Sequence, residues 1–508
     1  MTFQPGPGLV GPPSVVARRL KLFTQHDALV LMREDCAVCR SEGHAPRSQV
    51  LLVAGGREVI ATLYQIGDDV LQEGEAGLSE AAWERLGVNE GDRIVVRHPP
   101  ALASMSDMRR RIYGRRLGAG EMEAIIRDVA AGRYSDVHLA AFLTACSALP
   151  LDLDEVVYLT RAMVSAGQRL EWPARMVIDK HSVGGLPGNR TTPIVVAILA
   201  AHGLVIPKTS SRAITSPAGT ADVMETLTNV DLDLAAMRRV IERENGCLVW
   251  GAAVNLSPAD DVLIRVERVL DIDTQGQLVA SVLSKKIAAG STHVVIDIPV
   301  GPTAKVRSGE EAEALSAMLV AVGQACGIEV RCVITDGAQP VGRGIGPALE
   351  ARDVLAVLQG AGSAPADLRR RACLLAGAAL ELAGAAGAGE GLEAAQATLA
   401  DGRAWSKFQR ICEAQGGLRE PPRSSVTRPI LAQRPGRLVA INNRTLARLA
   451  KLAGAPDTKA AGVELHVRLG AEISADEPLL TVHAEAPGEL AYALDFAHAH
   501  PDMMVIEP

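Results

Sequence analysis

The chain has 508 residues, enough for three or four domains of ordinary size and for several cores that need no disulfide or metal staple. Hydrophobic residues make up 48 % and charged residues 22 %, which excludes wholesale disorder; aromatics are only 3 %, so the cores rest on Ala, Leu, Val and Ile. Fifty-nine acidic residues against 52 basic ones give a net charge of −7, which excludes a general binder of nucleic-acid polymers but leaves room for a local anion pocket.

No apolar run reaches the ~20 residues of a membrane helix, so no membrane partner is expected. Met1 to Pro13 is Gly/Pro-rich, without the basic-then-apolar order of a secretion signal. The eight scattered cysteines suit reduced thiols and a cytoplasmic setting. Cys36 and Cys39, with His44 nearby, lack a second Cys pair and read as buried or free thiols rather than a metal or redox site.

In chain order, residues 1–98 form a β-rich domain, of which a barrel is one form. Short apolar runs at Ala28–Met32, Gln49–Val53, Glu58–Leu63 and Arg93–Arg97 alternate with Gly and charged turns, and Ala81–Gly87 reads as a helix. Pro99-Pro100 marks a linker. A helical domain follows over 106–170, to which 192–250 contributes in part. Met122, Ile125, Ile126 and Val129 define one helix face, and Asp152 with Glu155 form a capping box.

Residues 171–417 alternate strand and helix and predict an α/β domain with a central mixed sheet. Its strands include Met176–Asp179, Val294–Ile298 and Glu329–Thr335; its helices include Ile194–Ala201, Glu311–Ala325 and Pro347–Leu358. Residues 430–508 predict a C-terminal α+β domain. The fold class is thus multidomain α/β and α+β with a β-rich N-terminal domain.

Four segments carry chemistry. In Asp179–Thr192, a Gly-rich turn joins a strand to a helix. Its Lys, Ser and paired Thr residues predict phosphate binding, and the absence of a Gly-Lys-Ser/Thr ending excludes a Walker loop. Lys208–Thr220 holds six hydroxyls, a Lys and an Arg just after an apolar helix. That composition suits sugar hydroxyls or phosphate oxygens, although a surface loop has a similar one. In Asp271–Lys286, Lys285 and Lys286 alone read as a solvated helix end and Asp273 as a loop or cap residue. Lys305 alone reads as a surface lysine. The glycines of Asp336–Gly346 read as close loop-to-sheet packing, since their spacing is not that of a dinucleotide site.

Taken together, Asp179–Ser182 with Gly184-Gly185 resemble the signature of the thymidine and pyrimidine-nucleoside phosphorylases. Gly185–Thr192 with Lys208–Thr220 are more similar to the AMP phosphorylases and to the bacterial "putative thymidine phosphorylase" chains (type 2). The resemblance runs through Ser281–Lys286, Gln339–Glu350 and Leu469–His483 and covers almost the whole chain.

The resemblance implies a helical domain facing an α/β domain across a cleft, a C-terminal α+β domain, and a homodimer or higher homo-oligomer. It implies that Lys180, Ser182, Thr192 and Thr220 hold phosphate. Gly185, Ser211, Arg212, Ala213, Ile214, Thr215, Ser216, Ser281, Lys285 and Lys305 would line the nucleotide site. Asp273 would be the proton donor and His181 an assistant at the base.

One departure concerns the Arg-Asp of pyrimidine enzymes, where this chain has Val266-Glu267; Arg265 and Arg268 are the candidate substitutes. The implied reaction is phosphorolysis of a nucleoside 5′-monophosphate, with inorganic phosphate as co-substrate, no resident cofactor and no metal. Thymidine phosphorolysis is the alternative, and a catalytically silent assembly protein the non-enzymatic one. A phosphoribosyltransferase would require metal-binding carboxylates at the phosphate loop, and none is there. Because the four segments lack Phe, Tyr and Trp, the base is expected to meet hydrogen bonds and aliphatic walls.

Overall fold

The computed structural model describes residues 14–24, 27–67, 69–213, 216–251, 256–272 and 274–508. Two compact units emerge: residues 1–109 with 131–135, and residues 110–130 with 136–508.

In the first unit, strands β1 (Ser14–Leu22), β2 (Leu29–Arg33), β3 (Gln49–Ala54), β4 (Arg57–Ile66), β5 (Glu75–Ser79) and β6 (Arg93–Arg97) close a barrel in the order β1-β5-β2-β4-β3-β6. Helix α1 (Ala37–Glu42) follows β2, and α2 (Glu80–Leu86) follows β5. Two-residue alternation explains the barrel core: Val50, Leu52 and Ala54 of β3 and Ile94 and Val96 of β6 turn inward. β5 has little apolar pattern of its own and is held by parallel pairing with β1 and antiparallel pairing with β2.

Helix α3 (Ser104–Ile112) carries the chain from the first unit to the second. There, α4 (Ala119–Ala130), α5 (Asp136–Ala148) and α6 (Leu153–Ala166) begin a helical layer. The α4 face predicted from periodicity is buried, and the Asp152–Glu155 capping box opens α6 with both reciprocal hydrogen bonds.

The α/β layer contains β7 (Ile178–Ser182), α7 (Thr192–Ala201), β8 (Ile206–Ser210), α8 (Thr220–Glu225), α9 (Leu234–Glu244) and β9 (Gly246–Trp250). Helices α10 (Pro258–Leu270) and α11 (Gln275–Ala288) then pack on α4, α5 and α6. These two, rather than segment 192–250, complete the helical layer. α7 lies in the α/β core instead, because Thr192 to Ala200 is buried on every face.

The chain returns to the sheet with β10 (His293–Val300), α12 (Gly309–Ala325) and β11 (Glu329–Asp336). Strands β11, β10 and β7 pair in parallel, as do β8 and β9, and a parallel bridge from Val177 to Val205 links the two groups. Each described pairing is therefore parallel where a mixed sheet is expected, since helical crossovers separate the strands.

A short β12 (Gly344–Ile345) leads to α13 (Pro347–Leu358), α14 (Ala366–Leu382), α15 (Gly391–Ala400) and α16 (Arg403–Ala414). The C-terminal part has β13 (Val426–Leu431), β14 (Gly436–Ile441), α17 (Asn443–Leu452), β15 (Gly462–Leu465), β16 (Glu472–Ile473), β17 (Pro478–Ala484), α18 (Pro487–Ala499) and β18 (Met504–Glu507). These strands form two antiparallel sheets, β12-β15-β17-β13 and β16-β14-β18. No helix among the described residues is long and apolar enough to cross a membrane.

Candidate active site

The carboxyl ends of parallel strands are where an open α/β sheet exposes its loops and the N-termini of following helices. β7 ends there with Asp179, Lys180, His181 and Ser182.

Asp179 is buried and accepts from the Nζ atoms of Lys208 on β8 (2.8 Å) and Lys286 on α11 (2.6 Å), and from the Lys180 main-chain N–H (2.7 Å). Burial alone would raise its pKa, but the two ammonium groups outweigh that and hold the carboxyl below its usual range. Two lysines share one carboxylate, and burial lowers the pKa of Lys286. Lys208 also donates to the Lys180 carbonyl at 2.8 Å, fixing the strand where the Gly-rich loop leaves it.

Lys180 is 1 % exposed. Its Nζ donates to Thr191 Oγ1 at 2.8 Å and lies 3.5 Å from Thr192 Oγ1, at the start of α7. Burial brings its pKa down to about 8, against the pull of Asp297. His181 is pushed well below its usual pKa by burial and then by Lys286, Lys208, Lys180 and Lys285, so its imidazole is neutral at pH 7. Ser182 donates to Asp297 Oδ2 (2.9 Å) on β10. Asn189 reaches the same oxygen (2.9 Å), and Thr335 of β11 donates to the other (2.6 Å).

Gly185 has φ +81°, and a Cβ there would stand 2.5 Å from the Lys305 nitrogen. A side chain is therefore excluded, and two predicted substrate residues are brought together. Thr220, at the start of α8, accepts from Arg190 Nη1 at 2.7 Å. Arg190 also pairs with buried Glu350 at 2.8 Å, whose carboxyl burial raises against the arginine's pull. The side chains of the Gly-rich segment thus converge through α7, α8 and α13 as well as the sheet.

In the second segment, the surface-loop alternative does not hold for the first residues. Lys208, Thr209 and Ser210 form strand β8, with Lys208 and Thr209 buried rather than at the surface. Ser211 is exposed, and its carbonyl accepts from Ala221 N. Arg212 is held by Glu225 through two bonds of 2.7 and 2.8 Å and lies 4.7 Å over the Trp250 ring. Lys459 from the C-terminal part reaches the same Glu225 at 2.8 Å. Asp222 takes the main-chain N–H groups of Ala213 and Gly219 (2.6 and 2.8 Å), which closes the loop. Ser216 donates to the Ala218 carbonyl at 3.0 Å. Ile214, Thr215 and Asp273 lie outside the described residues.

Ser281 and Lys285 lie on α11, four residues apart on one face, and are half-buried. Lys285 pairs with buried Asp260, and Lys286 is itself buried, so the solvated helix end expected of this pair is not what forms. The α11 terminus is packed into unit 2, where Asp260 and Asp179 supply counter-ions. Lys305 is half-buried.

Sequence reasoning missed Asp179, Asp297, Arg190, Glu350 and Lys286 as organisers of the site. A signal was present for two of them: Asp179 and Asp297 each interrupt an apolar strand, and an acid there requires a partner. Trp250 was also missed, but the Arg212 guanidinium lies over its ring. In the fourth segment, a Cβ on Gly344 would meet the Leu349 carbonyl carbon at 2.4 Å, in line with the packing reading of its glycines.

Comparison with known proteins follows the same lines. The glycosyl transferase family a/b domain matches residues 174–405, that family's helical bundle domain matches 108–167, and the pyrimidine nucleoside phosphorylase C-terminal domain matches 438–501. A protein of Chelativorans sp. (strain BNC1) named "Putative thymidine phosphorylase" is 66 % identical and aligned over 97 % of both chains. One of the same name from Tolumonas auensis is 62 % identical over 98 % of both. Among solved structures, an anthranilate phosphoribosyltransferase from Thermus thermophilus has a TM-score of 0.49 and 22 % identity, covering 61 % of this chain and 98 % of its own.

Proposed function

The chain belongs to the pyrimidine-nucleoside phosphorylase superfamily and is a pentosyltransferase; from that premise we propose that it phosphorolyses a nucleoside 5′-monophosphate of the AMP type to free base and ribose 1,5-bisphosphate. The observation that carries the choice of substrate is the fate of the arginines near the pyrimidine position. Val266 is buried, Arg265 pairs with Asp136 at 2.9 Å, and Arg268 is exposed at the end of α10. This supports a site without the arginine that the pyrimidine enzymes use.

In the proposed reaction, phosphate is already anionic and needs no strong base. Lys180, Ser182, Thr192 and Thr220 position it beneath the anomeric carbon. Such proximity contributes up to about 7–11 kcal/mol in favourable systems. A phosphate oxygen forms the new bond to C1′ as the N-glycosidic bond breaks, and Asp273 gives its proton to the departing base. Neutral His181 serves as hydrogen-bonding partner near the base. Gly185, Ser211 to Ser216, Ser281, Lys285 and Lys305 line the nucleotide. The enzyme works without a resident cofactor, as a cytoplasmic homodimer or larger homo-oligomer; its free cysteines support the setting.

Thymidine phosphorolysis is the second reading, favoured by the names of the relatives. Incubation with AMP, CMP, UMP, adenosine and thymidine, with and without inorganic phosphate, separates the two when free base is followed by chromatography. Phosphate-dependent release from AMP but not adenosine is the expected result. Release from thymidine alone overturns the AMP reading, and no release from any substrate supports the silent assembly protein.

A further inference from the structure

The N-terminal barrel carries a group of side chains that the phosphorolysis does not use. Helix α1 ends at Glu42, and Gly43 then turns the chain through a left-handed conformation (φ 66°), which carries His44 into the interior. The main chain of His44 is pinned on both sides: its N–H donates to the Cys39 carbonyl at 3.0 Å, and its carbonyl accepts from Gln65 Nε2 at 3.1 Å. His98, the residue after β6, meets it. The two imidazole rings lie 4.3 Å apart at a tilt of 48°. His98 Nε2 donates to the Glu42 carbonyl at 2.7 Å and lies 3.9 Å from Glu42 Oε2.

Two observations point independently to a ligand. One ligand atom from each of Glu42, His44 and His98 lies within 4.8 Å of the others. Separately, His44 is only 4 % exposed, yet neither ring nitrogen has a hydrogen-bond partner among the described residues. A buried imidazole with both nitrogens unpaired loses its hydration without compensation, a cost of about 1–3 kcal/mol for each unmet polar group. A metal bond to one of those nitrogens removes part of that cost.

We propose that Glu42, His44 and His98 form a binding site for a divalent first-row transition-metal ion of the zinc class, at the end of the barrel where α1 and β6 terminate. Two imidazoles and one carboxylate match such an ion and fit poorly with Mg²⁺ or Ca²⁺, which take oxygen ligands. In tetrahedral zinc sites, ligand atoms at 2.0–2.1 Å from the ion are roughly 3.3 Å apart. The spread of 4.8 Å closes to that value by movement of Glu42 and His98, which are 35 % and 59 % exposed at their side chains, around the fixed His44. On binding, the His98 Nε2 proton leaves or moves to Nδ1, and its lone pair is given to the metal in place of the hydrogen bond to Glu42. Solvent fills the remaining position on the exposed side. The ion ties the end of α1 to the end of β6, 56 residues apart in sequence.

The thiols of Cys36 and Cys39 stand outside the group. Cys39 Sγ faces Met32 Sδ at 3.9 Å within the barrel core, and both Cys36 and Cys39 are buried.

The test uses the full-length protein stripped with a chelator. Zn²⁺ is titrated in competition with a chromophoric chelator, and Co²⁺ is added separately to read its d–d absorption. One equivalent per chain is expected in the parent, accompanied by a rise in Tm. His98→Ala at an exposed position and Glu42→Gln at a half-buried one should each weaken that equivalent by more than about tenfold, the range seen even for lost outer-shell partners. They should leave the metal-free Tm unchanged. Cys36→Ser/Cys39→Ser should keep it. The proposal is overturned if the parent binds no equivalent, if both ligand variants bind as the parent does, or if binding follows the cysteines instead.

Discussion

The ammonium of Lys180 donates to Thr191 Oγ1 at 2.8 Å, so a buried cation and the start of the following helix meet before any phosphate arrives. Its pKa of about 8 places the loss of that cation in mildly alkaline solution. A lysine is charged below its pKa and neutral above it. Between pH 8 and 9.5, where phosphate itself stays a dianion, the charged fraction falls by roughly fifteenfold. The phosphate KM should rise by a similar factor over that interval. Lys180→Ala should lower kcat/KM by about 10²–10³-fold, the cost of one preorganised charge-stabilising donor, and should flatten this pH dependence. Steady-state kinetics across pH in a constant-ionic-strength buffer checks both.

Asp179 serves two ammonium groups at once. Asp179→Asn leaves Lys208 and Lys286 buried without a counter-ion, and breaking a buried pair in this way costs about 3–5 kcal/mol. Urea denaturation should show a loss of that size, with activity falling in parallel. A variant as stable as the parent would mean that the two lysines relax to solvent.

Gly185→Ala should impair catalysis more than folding. The added Cβ would approach the Lys305 main chain at 2.5 Å, on a residue held at φ +81°. Strain of about 1–3 kcal/mol is the expected stability cost. The displaced Lys305 should appear as a raised nucleotide KM. An unchanged KM in a folded variant would remove Lys305 from the substrate site.

Glu225 is held at a pKa of about 2 by Arg212 first and by Lys459 after it, with burial opposing both. A carboxyl whose folded pKa is depressed stabilises the fold above its unfolded value and loses that contribution as pH falls through the folded one. Glu225→Gln should therefore be less stable than the parent at pH 7, and the difference should shrink as pH falls from about 4.5 toward 2. Thermal unfolding of both proteins across that range tests the sign; the pair is partly exposed, so the difference at pH 7 should be modest.

Local rules were enough for the elements with strong endpoints. Pro347 opens α13 at its first residue, and Ser308 caps α12 through Glu311 N. Strands β5 and β8 were illegible for opposite reasons. β5 is short and interrupted by Gly77, and owes its form to β1 and β2 on either side. β8 carries Pro207 and Lys208 and looks like a polar loop, yet it is buried because Asp179 neutralises its lysine. The same holds for the site. The strand–Gly-rich turn–helix form of Asp179–Thr192 could be read from its own composition. Arg212 could not be known to face Glu225 and Trp250, nor Lys286 to face Asp179, since these partners meet only in the folded chain.

The Asp179–Lys286 pair also sets a timetable for synthesis. The lysine lies 107 residues after the carboxylate. At the ribosome's ~5–20 residues per second, it emerges roughly 5 to 20 s later. Until then Lys208, only 29 residues on, is the cation within reach. A nascent chain can close β7 on β8 early, but it cannot seal this acid beneath the helical layer until α11 has left the exit tunnel.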